Sequence, residues 1–545
     1  MNNFFHILTF SLFLFISGIT NAQSNGFEVI RSLELMDQIY EHLEKYYVDD
    51  IQAGQMSKTA IDAMLNELDP YTVYYHEANI EDYRLMTTGK YGGIGSRIRK
   101  IDGYVYISEP YKGKPADVSG LKAGDKIITI DGKSMYNLNS EEVSKALKGP
   151  KGTKIEVEIE RINGEKKKLT VERDEIKLPD VPYFGMIDDQ TGYIKLNSFT
   201  RTASSEIKDA FVKLKDLGMK SLVLDLRGNG GGLLIEAVRI VNFFVPKGQT
   251  VVTTRGRVEE ENRTYATQSD PLDLEIPLVV LVNQGSASAS EIVSGSLQDL
   301  DRAVIIGTQS YGKGLVQRTY DLDYGAKMKL TIAKYYTPSG RCVQRLEYYD
   351  KLSEDAAEEI PDSLITIFKT KNGRDVIDGR GVEPDEEIVQ KELSGLTVAL
   401  FKNNLIFHYA TQFYYSNDSI ANVKEFSISD AEYLKFKTYI LSKEFTYSTS
   451  SEEVLLKMKK TAMEEGYFDD IEKEYSEMLA KVTPSKERDL EKFKAQIISF
   501  LENEIVSRYY FQNGRAIQSF KNDPFIDSSI EILQNSSKYN TILGK

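Results

Sequence analysis

The spacing of apolar residues near the N-terminus predicts helices. Apolar side chains there recur every three or four residues, the stripe of an amphipathic helix: Val29, Leu33, Met36, Tyr40, Leu43 and Tyr47. A second helix is predicted over 57–68, ending before Pro70, because the residue before a proline is pushed out of the helical conformation. The stripe favours either packing within the chain or a dimer seam.

Residues 86–176 have the shorter spacing of β-strands. Strands are predicted around Ile98 and over 104–107 and 127–130. One helix interrupts them, with Asn139 or Ser140 as N-cap and Gly149-Pro150 just after its end. This pattern predicts a small domain of strands with one helix.

From about residue 177 the pattern alternates between α and β. Fully apolar runs such as 221–226 and 277–282 are typical of strands buried in a parallel sheet. Helices are predicted over 205–217 and 233–244. Glycines 228 and 230–232 therefore lie at a strand-to-helix turn, where the backbone can approach a substrate closely.

The last third of the chain is rich in helical patterns. Thr483-Pro484 resembles a helix cap with proline in the first turn. One helical face follows it, formed by Leu490, Phe493, Ile497, Leu501 and Ile505. A charged segment over about 346–374 is interpreted as a surface insertion.

Composition narrows the function classes. With 545 residues and 41% hydrophobic content the chain can form several domains, each with its own core. A net charge of −14 argues against nucleic acids and anionic membranes as partners. The single cysteine, Cys342, cannot form an internal disulfide, and no Cys/His cluster is present, so neither a metal nor another cofactor is predicted.

Two short stretches carry candidate chemistry. Ser286-Ala-Ser-Ala-Ser-Glu291 follows an apolar run and leads into a helical pattern, which places a hydroxyl at a helix N-terminus where negative charge is favoured. Lys313, flanked by glycines, follows another apolar run. A lysine that acts as a base must be neutral, and burial can lower its pKa toward 7. Residue chemistry alone leaves Ser286, Ser288 and Ser290 as alternatives.

The same lysine has a second interpretation. Gly307-x4-Gly312-Lys313 fits seven positions of a phosphate-binding P-loop. Gly314 stands where the Mg²⁺-binding Ser or Thr would be, and residues 316–324 carry a strand pattern rather than a helix. Nucleotide binding is therefore disfavoured.

A longer pattern resembles a known family. The stretches Asn283–Asp299 and Gly307–Gln317 resemble the signature of the carboxyl-terminal processing peptidases, tail-specific serine proteases. The motifs Asp225–Gly232 and Tyr336–Arg341 extend the resemblance. It implies Ser288 as nucleophile, Lys313 as general base and Gln317 as the residue that orients the lysine. It also implies an oxyanion hole of the Ala289 and Gly232 backbone N–H groups.

Residues 86–176 resemble a PDZ domain. Its glycine loop would be Gly93-Ile94-Gly95, whose N–H groups would receive a chain-terminal carboxylate while the next strand takes the peptide as an added β-strand. The loop departs from the usual GLGF-like form of the family.

Residues 1–22 have the pattern of a secretory signal, with an apolar stretch followed by small residues; a retained anchor is the alternative.

The predicted fold class is α+β and multidomain. After the signal come an N-terminal helical region (23–85), a PDZ domain (86–176), an α/β Ser-Lys protease core (177–397) and a helical C-terminal domain (398–545).

The sequence thus predicts an exported serine endopeptidase of the periplasm or cell envelope that cleaves polypeptides near their C-termini. Polypeptide C-termini, a second copy of the chain and an adaptor protein are its predicted partners. The alternative is a PDZ-bearing adaptor or scaffold with an inactive protease fold.

Overall fold

The computed structural model describes residues 26–76, 80–348, 358–389 and 392–545. The predicted signal over 1–22 lies outside these ranges. The chain divides into two compact units, one of Met1–Ala78 with Arg318–Thr331 and one of Asn79–Gln317 with Ile332–Lys545. No helix in the described ranges is both long and apolar enough to cross a membrane.

The first unit begins with the predicted amphipathic helix, over 26–46. A second helix, Ala53–Asn66, follows, and the two are joined by a hydrogen bond between the Tyr40 and Ser57 hydroxyls (2.8 Å). The strand Val73–Tyr75 pairs antiparallel with the start of the strand Lys327–Tyr336. The stripe of the first helix is largely exposed, with Leu33 at 66%.

The second helix begins and ends earlier than predicted. It stops at Asn66, four residues before Pro70. The Asp69 carboxylate accepts hydrogen bonds from the backbone N–H groups of Tyr71 and Thr72, in a turn that contains Pro70.

The second unit starts with the predicted PDZ domain. Its main sheet has the order Ser96–Ile101, Tyr104–Pro110, Lys126–Ile130, Lys154–Glu160 and Lys166–Glu172, with Lys133–Ser134 beside the third strand. Lys90–Gly93 pairs separately with Asp174–Lys177, and Pro115–Val118 forms a short helix. The predicted helix is Ser140–Leu147, with Asn139 as N-cap in a capping box with Glu142. Strand Ser96–Ile101 is an end strand of the sheet and contacts this helix.

The predicted protease core is a six-stranded sheet, parallel except for its first pair. Its order is Tyr183–Met186, Thr191–Lys195, Ser221–Asp225, Leu278–Val282, Val304–Gly307 and Glu386–Glu387. Three helices cover one face: Ala203–Asp216, Leu234–Asn242 and Ala289–Asp299. The central strands are buried on both faces, which explains why their sequences are apolar throughout. Thr250–Gly256 pairs with Arg263–Ala266 and with residues 333–336.

The last two helices of the chain, Pro524–Gln534 and Ser536–Ile542, cover the other face of this sheet. Ile532 is fully buried against it, and the Tyr539 hydroxyl accepts a hydrogen bond from the Leu278 backbone (3.0 Å). The end of the predicted C-terminal domain is therefore a layer of the protease core.

The remaining C-terminal helices form their own core. They are Gly395–Lys402, Leu405–Ser416, Asp430–Leu441, Ser450–Glu465, Phe468–Val482, Lys486–Lys492 and Lys494–Ser519. The predicted cap at Thr483-Pro484 is wrong. Thr483 is instead the C-cap of the preceding helix. The next helix is capped two residues later by Ser485, whose side chain accepts a hydrogen bond from the Arg488 N–H. The long last helix is kinked at Phe511, which has φ of 55°.

The predicted insertion over about 346–374 carries short hairpins. Leu346–Glu347 pairs with Glu358–Glu359, and Ile367–Lys369 pairs with Asp375–Ile377. Arg374 bonds Asp301 and Asp385 of the protease core (2.6 and 2.5 Å) and thereby anchors the end of the insertion.

Candidate active site

Two turns meet at the carboxyl edge of the parallel sheet. The glycine turn, residues 228–232, follows Ser221–Asp225, and the serine turn, residues 283–288, follows Leu278–Val282. The Asn283 side chain accepts a hydrogen bond from the Gly228 N–H (2.8 Å), and the Ala287 N–H donates to the Asn229 carbonyl (3.0 Å). These bonds hold the two turns against each other.

The three candidate serines have different environments. The Ser286 hydroxyl donates to the Leu226 carbonyl (2.9 Å) and the Ser290 hydroxyl to the Asn229 carbonyl (2.8 Å), and both residues are fully buried. The Ser286 hydroxyl thus ties the serine turn to the segment just before the glycine turn, and the Ser290 hydroxyl ties the following helix to the glycine turn itself. Ser288 between them is only half-buried, so it is the serine that a substrate can reach most easily.

Ser288 also has an unusual backbone conformation. Its φ and ψ are 56° and −112°, outside the regions that a side chain tolerates without strain. It is the N-cap of the wholly buried helix Ala289–Asp299, whose first N–H groups and dipole favour negative charge. The fold therefore holds this hydroxyl at a positive helix end at a cost in backbone strain.

The glycine turn approaches this helix end very closely. A Cβ on Gly231, which has φ of 99°, would lie 2.8 Å from the Ser288 Cβ and 2.9 Å from the Ala289 nitrogen. A side chain at Gly231 would therefore collide with the serine turn, and sequence reasoning did not single out this glycine among its neighbours. Gly232 forms a parallel bridge with Phe199. The Leu233 N–H bonds the Phe199 carbonyl (2.8 Å), so the Gly232 N–H points away from Phe199.

The buried carboxylate of Glu291 joins the serine turn to the lysine loop. One oxygen, Oε2, accepts hydrogen bonds from the backbone N–H groups of Ser288 (2.8 Å) and Lys313 (2.9 Å). The two nitrogens therefore lie within 5.7 Å of each other, the sum of 2.8 and 2.9 Å. The other oxygen, Oε1, accepts from the Ser310 hydroxyl (2.6 Å) and the Gly312 N–H (2.7 Å).

Sequence reasoning gave Glu291 no role. A serine followed three residues later by glutamate is the usual signal of a local capping box. Glu291 also accepts hydrogen bonds from residues 310–313, about twenty residues further along the chain. A capping-box pattern covers only four consecutive residues, so it cannot predict these bonds. Burial raises the pKa of Glu291, and the four donated hydrogen bonds oppose this rise.

Lys313 is half-buried in a loop that leads directly into the strand Leu315–Asp321. A P-loop would lead into a helix, so the strand agrees with the prediction against nucleotide binding. The Gly314 N–H donates to the Gln344 side chain (2.7 Å), which fixes the loop just after the lysine. Gln317 is half-buried in the following strand.

Tyr335 supports the serine turn from a different strand. It is 1% exposed, and its hydroxyl donates to the Ser288 carbonyl (3.2 Å). Burial raises the pKa of this phenol well above its usual value, so it is a permanent donor at physiological pH. No signal in the sequence marked Tyr335.

A buried ionic cluster precedes the glycine turn. Asp225 accepts hydrogen bonds from Lys195, Tyr193 and Arg227 (2.7–3.1 Å). Burial raises the pKa of Asp225, but the two cations outweigh burial and hold that pKa below its usual range. Arg227 also bonds Asp523, at the start of the penultimate helix (2.8 Å). The C-terminal helices are thus tied to the residue just before the glycine turn.

The predicted peptide-binding loop lies at the entry to the edge strand of the PDZ domain. Gly93 and Ile94 are buried, and Gly95 has φ of 72°. The Ile94 carbonyl accepts a hydrogen bond from the Ala116 N–H (2.8 Å), which fixes the loop to the domain. The three residues are well separated from the Ser288 turn along the chain and belong to a different domain.

Three family descriptions match this chain. "Peptidase family S41" matches residues 190–348, "PDZ domain" matches 84–160, and "Probable PDZ-protease, C-terminal helical domain" matches 396–533.

Known relatives share most of their length with it. A carboxy-terminal-processing protease of Bartonella bacilliformis is 37% identical over 342 residues, 61% of this chain and 78% of the relative. The carboxy-terminal processing protease CtpA of Bacillus subtilis is 29% identical over 425 residues, 77% of this chain and 87% of its own. The solved structure of a photosystem II D1 C-terminal processing protease is 27% identical and covers 64% of this chain and 86% of its own, with a TM-score of 0.37.

The bridging carboxylate leads to a prediction. Glu291→Gln keeps the shape of the side chain but supplies only one accepting oxygen, so two of the four buried donors lose their partner. At about 1–3 kcal/mol for each unpaired donor, the free energy of unfolding should fall by roughly 2–6 kcal/mol. The serine turn and lysine loop should also shift apart, and kcat should fall by about 10²-fold.

Glu236→Gln is the matched control for denaturation and steady-state kinetics. Glu236 is equally buried and accepts hydrogen bonds from Ser204 and Arg239, away from the two turns. It should lose stability but keep its kcat at a temperature where it is folded. A folded Glu291→Gln enzyme with the kcat of the wild type would contradict the bridging role.

Proposed function

Because this chain belongs to the carboxy-terminal processing proteases, serine peptidases of family S41 that here carry a PDZ domain, we propose that Ser288 is its nucleophile and Lys313 its general base. The observation that carries the proposal is the Glu291 carboxylate, whose Oε2 accepts hydrogen bonds from the backbone nitrogens of both residues. The two nitrogens therefore lie within 5.7 Å of each other, the sum of 2.8 and 2.9 Å. A nucleophile and its base must be within hydrogen-bond reach.

The reaction follows the usual course of acyl transfer. The Ser288 oxygen attacks the carbonyl carbon of the scissile peptide bond, and its proton passes to the neutral amine of Lys313. The tetrahedral intermediate collapses, the C–N bond breaks, and the lysine returns the proton to the leaving nitrogen. A water molecule, deprotonated by the same amine, then releases the acyl group from Ser288.

The oxyanion of the intermediate needs fixed donors. We assign them to the backbone N–H groups of Ala289 and Gly232. Ala289 is the first residue of the helix after the nucleophile, and Gly231 brings the glycine turn to the Ala289 nitrogen. Loss of one such donor typically costs 10²- to 10³-fold in rate. Gln317, four residues beyond the lysine, would orient the amine.

The PDZ domain would select the substrate. Its end strand Ser96–Ile101 offers unpaired backbone groups to a peptide strand, and the loop Gly93-Ile94-Gly95 precedes it. A terminal carboxylate bound at this loop would give the enzyme its preference for chain ends. An adaptor protein as a further partner stays a prediction.

Cleavage of an unfolded protein tests the mechanism. Ser288→Ala should lower kcat by about 10³-fold or more, since the nucleophile is lost, and Lys313→Ala by about 10²- to 10⁴-fold, since proton transfer is lost. For wild type, kcat/KM should rise with pH as the lysine loses its proton. Lys247→Ala, at an exposed lysine, should cleave like wild type. Equal rates for wild type, Ser288→Ala and Lys313→Ala would remove the mechanism and favour the adaptor alternative.

We also propose that the exposed stripe of the helix over 26–46 is a homodimer seam. Val29, Leu33 and Met36 are 59%, 66% and 42% exposed, and such a row of apolar side chains is costly to leave in water. Two copies of one stripe can cover each other around a two-fold axis.

Light scattering after size-exclusion chromatography tests the seam. The wild type should elute at twice the protomer mass, and Leu33→Glu should elute as a monomer, because a charge in the seam opposes its burial. Glu34→Gln, at a neighbouring exposed position, should remain a dimer. A monomeric wild type at micromolar concentration would exclude the seam.

Residues 1–22 support a further proposal, that the protein is exported to the periplasm or cell envelope. The motif Thr20-Asn21-Ala22 ends in small residues of the kind that signal peptidases recognise. Mass spectrometry of the intact protein from the envelope fraction should give the mass of a chain that begins at Gln23. Full-length protein recovered only from the cytosol would refute export.

A further inference from the structure

Asn229 is the only residue of the glycine turn that has a side chain. That side chain is fully buried, where it donates a hydrogen bond to the Leu196 carbonyl (2.9 Å) and accepts one from the Gly231 N–H (2.9 Å). The Asn229 carbonyl accepts from the Ala287 N–H (3.0 Å) and the Ser290 hydroxyl (2.8 Å). Asn229 therefore connects the glycine turn both to the sheet and to the serine turn.

The peptide bond between Gly231 and Gly232 has a fixed orientation. Its carbonyl, which belongs to Gly231, accepts a hydrogen bond from the Phe199 N–H (3.1 Å). The C=O and N–H of a trans peptide point in opposite directions, so the Gly232 N–H is directed away from Phe199. Within the part of the chain that the structure describes, this N–H donates to no other group. It is therefore available to an atom of a substrate.

A peptide bond between two glycines is easy to turn over. Gly231 and Gly232 have φ of 99° and 148°, and glycine, which lacks a Cβ, adopts positive and negative φ about equally well. If this peptide turned over, the Gly231 carbonyl would replace the Gly232 N–H at the place of the proposed oxyanion. A carbonyl oxygen there would repel the negative charge that the N–H attracts. The turn therefore needs hydrogen bonds that prevent this rotation.

We propose that Asn229 is a positioning residue, whose side chain keeps the Gly232 N–H directed at the oxyanion. The proposal rests on the proposed function, in which that N–H is an oxyanion donor. Asn229 acts through Gly231. Its Oδ1 fixes the Gly231 N–H, just before the peptide that must not rotate, while its Nδ2 anchors the side chain to Leu196, which follows the strand Thr191–Lys195. An asparagine can do both because its amide group donates and accepts.

Kinetics of Asn229→Ala test the proposal. We expect kcat to fall about 10²-fold, as when one oxyanion donor is lost, with little change in KM, because the interaction forms only in the transition state. A trifluoromethyl ketone made from a peptide that the wild type cleaves forms an oxyanion with the serine, and its affinity should fall by the same factor. The pH at which kcat/KM rises should not move, because Lys313 is unchanged.

Asn242→Ala is the matched control. Asn242 is also buried, and its side chain donates to the Ser269 carbonyl (2.7 Å) and accepts from the N–H groups of Gln268 (3.0 Å) and Ser269 (2.9 Å). This variant should lose stability but keep the kcat and the ketone affinity of the wild type at a temperature where it is folded. Folded Asn229→Ala with the kcat and ketone affinity of the wild type would overturn the proposal. A lower kcat with a shifted pH dependence and an unchanged ketone affinity would also overturn it.

Asn229→Asp is the second variant if Asn229→Ala does not fold. It keeps an oxygen that accepts from the Gly231 N–H, so the folded variant should retain most of the affinity for the ketone. A loss as large as the one expected for Asn229→Ala would overturn the proposal.

Hydrogen exchange provides a test that needs no turnover. In Ser288→Ala protein, the further change Asn229→Ala should speed exchange of the Gly231 amide, and Asn242→Ala should not. Equally slow exchange in both would overturn the proposal. If Ser288→Ala cleaves an unfolded protein like wild type, the proposed function fails, and the oxyanion role of Asn229 fails with it, even where exchange shows that Asn229 holds the turn.

Discussion

The active-site region depends on one buried carboxylate. A glutamate cannot be buried cheaply unless its oxygens accept hydrogen bonds, and Glu291 satisfies this with four donors. Two of them, the N–H groups of Ser288 and Lys313, belong to segments that are distant along the chain. The bonds that stabilise the charge therefore also limit the distance between the backbones of the proposed nucleophile and the proposed base. A loss of this carboxylate affects stability and geometry together.

Other buried polar contacts around the site also join segments that are distant along the chain. The hydroxyls of Ser286 and Ser290 join the serine turn and the helix after it to the backbone carbonyls of Leu226 and Asn229, at and just before the glycine turn. Arg227 joins the start of the glycine turn to Asp523, and the helices that follow Asp523 cover the second face of the sheet. The C-terminal third of the chain thus has two roles in one continuous structure: it completes the protease core, and it fixes Arg227 beside the glycine turn.

Much of this arrangement could be predicted from the sequence. The strand–turn–helix order around Ser288 and the strand–loop–strand order around Lys313 follow from local patterns of apolar runs and small residues. Residue chemistry alone could not choose Ser288 over Ser286 and Ser290, and only the family resemblance implied it, because the difference between their environments depends on which hydroxyls bind distant carbonyls. Glu291 and Tyr335 were missed for the same reason. Thr483 was mistaken for a cap because Ser485, two residues later, competes for the same role.

The most direct measurement of the central claim is labelling with a fluorophosphonate, followed by mass spectrometry of the digested protein. The account predicts a single adduct on Ser288, formed faster as pH rises and the amine of Lys313 loses its proton, and formed far more slowly in Lys313→Ala. An adduct on Ser286 or Ser290, or a labelling rate at Ser288 that is independent of both pH and Lys313, would contradict it.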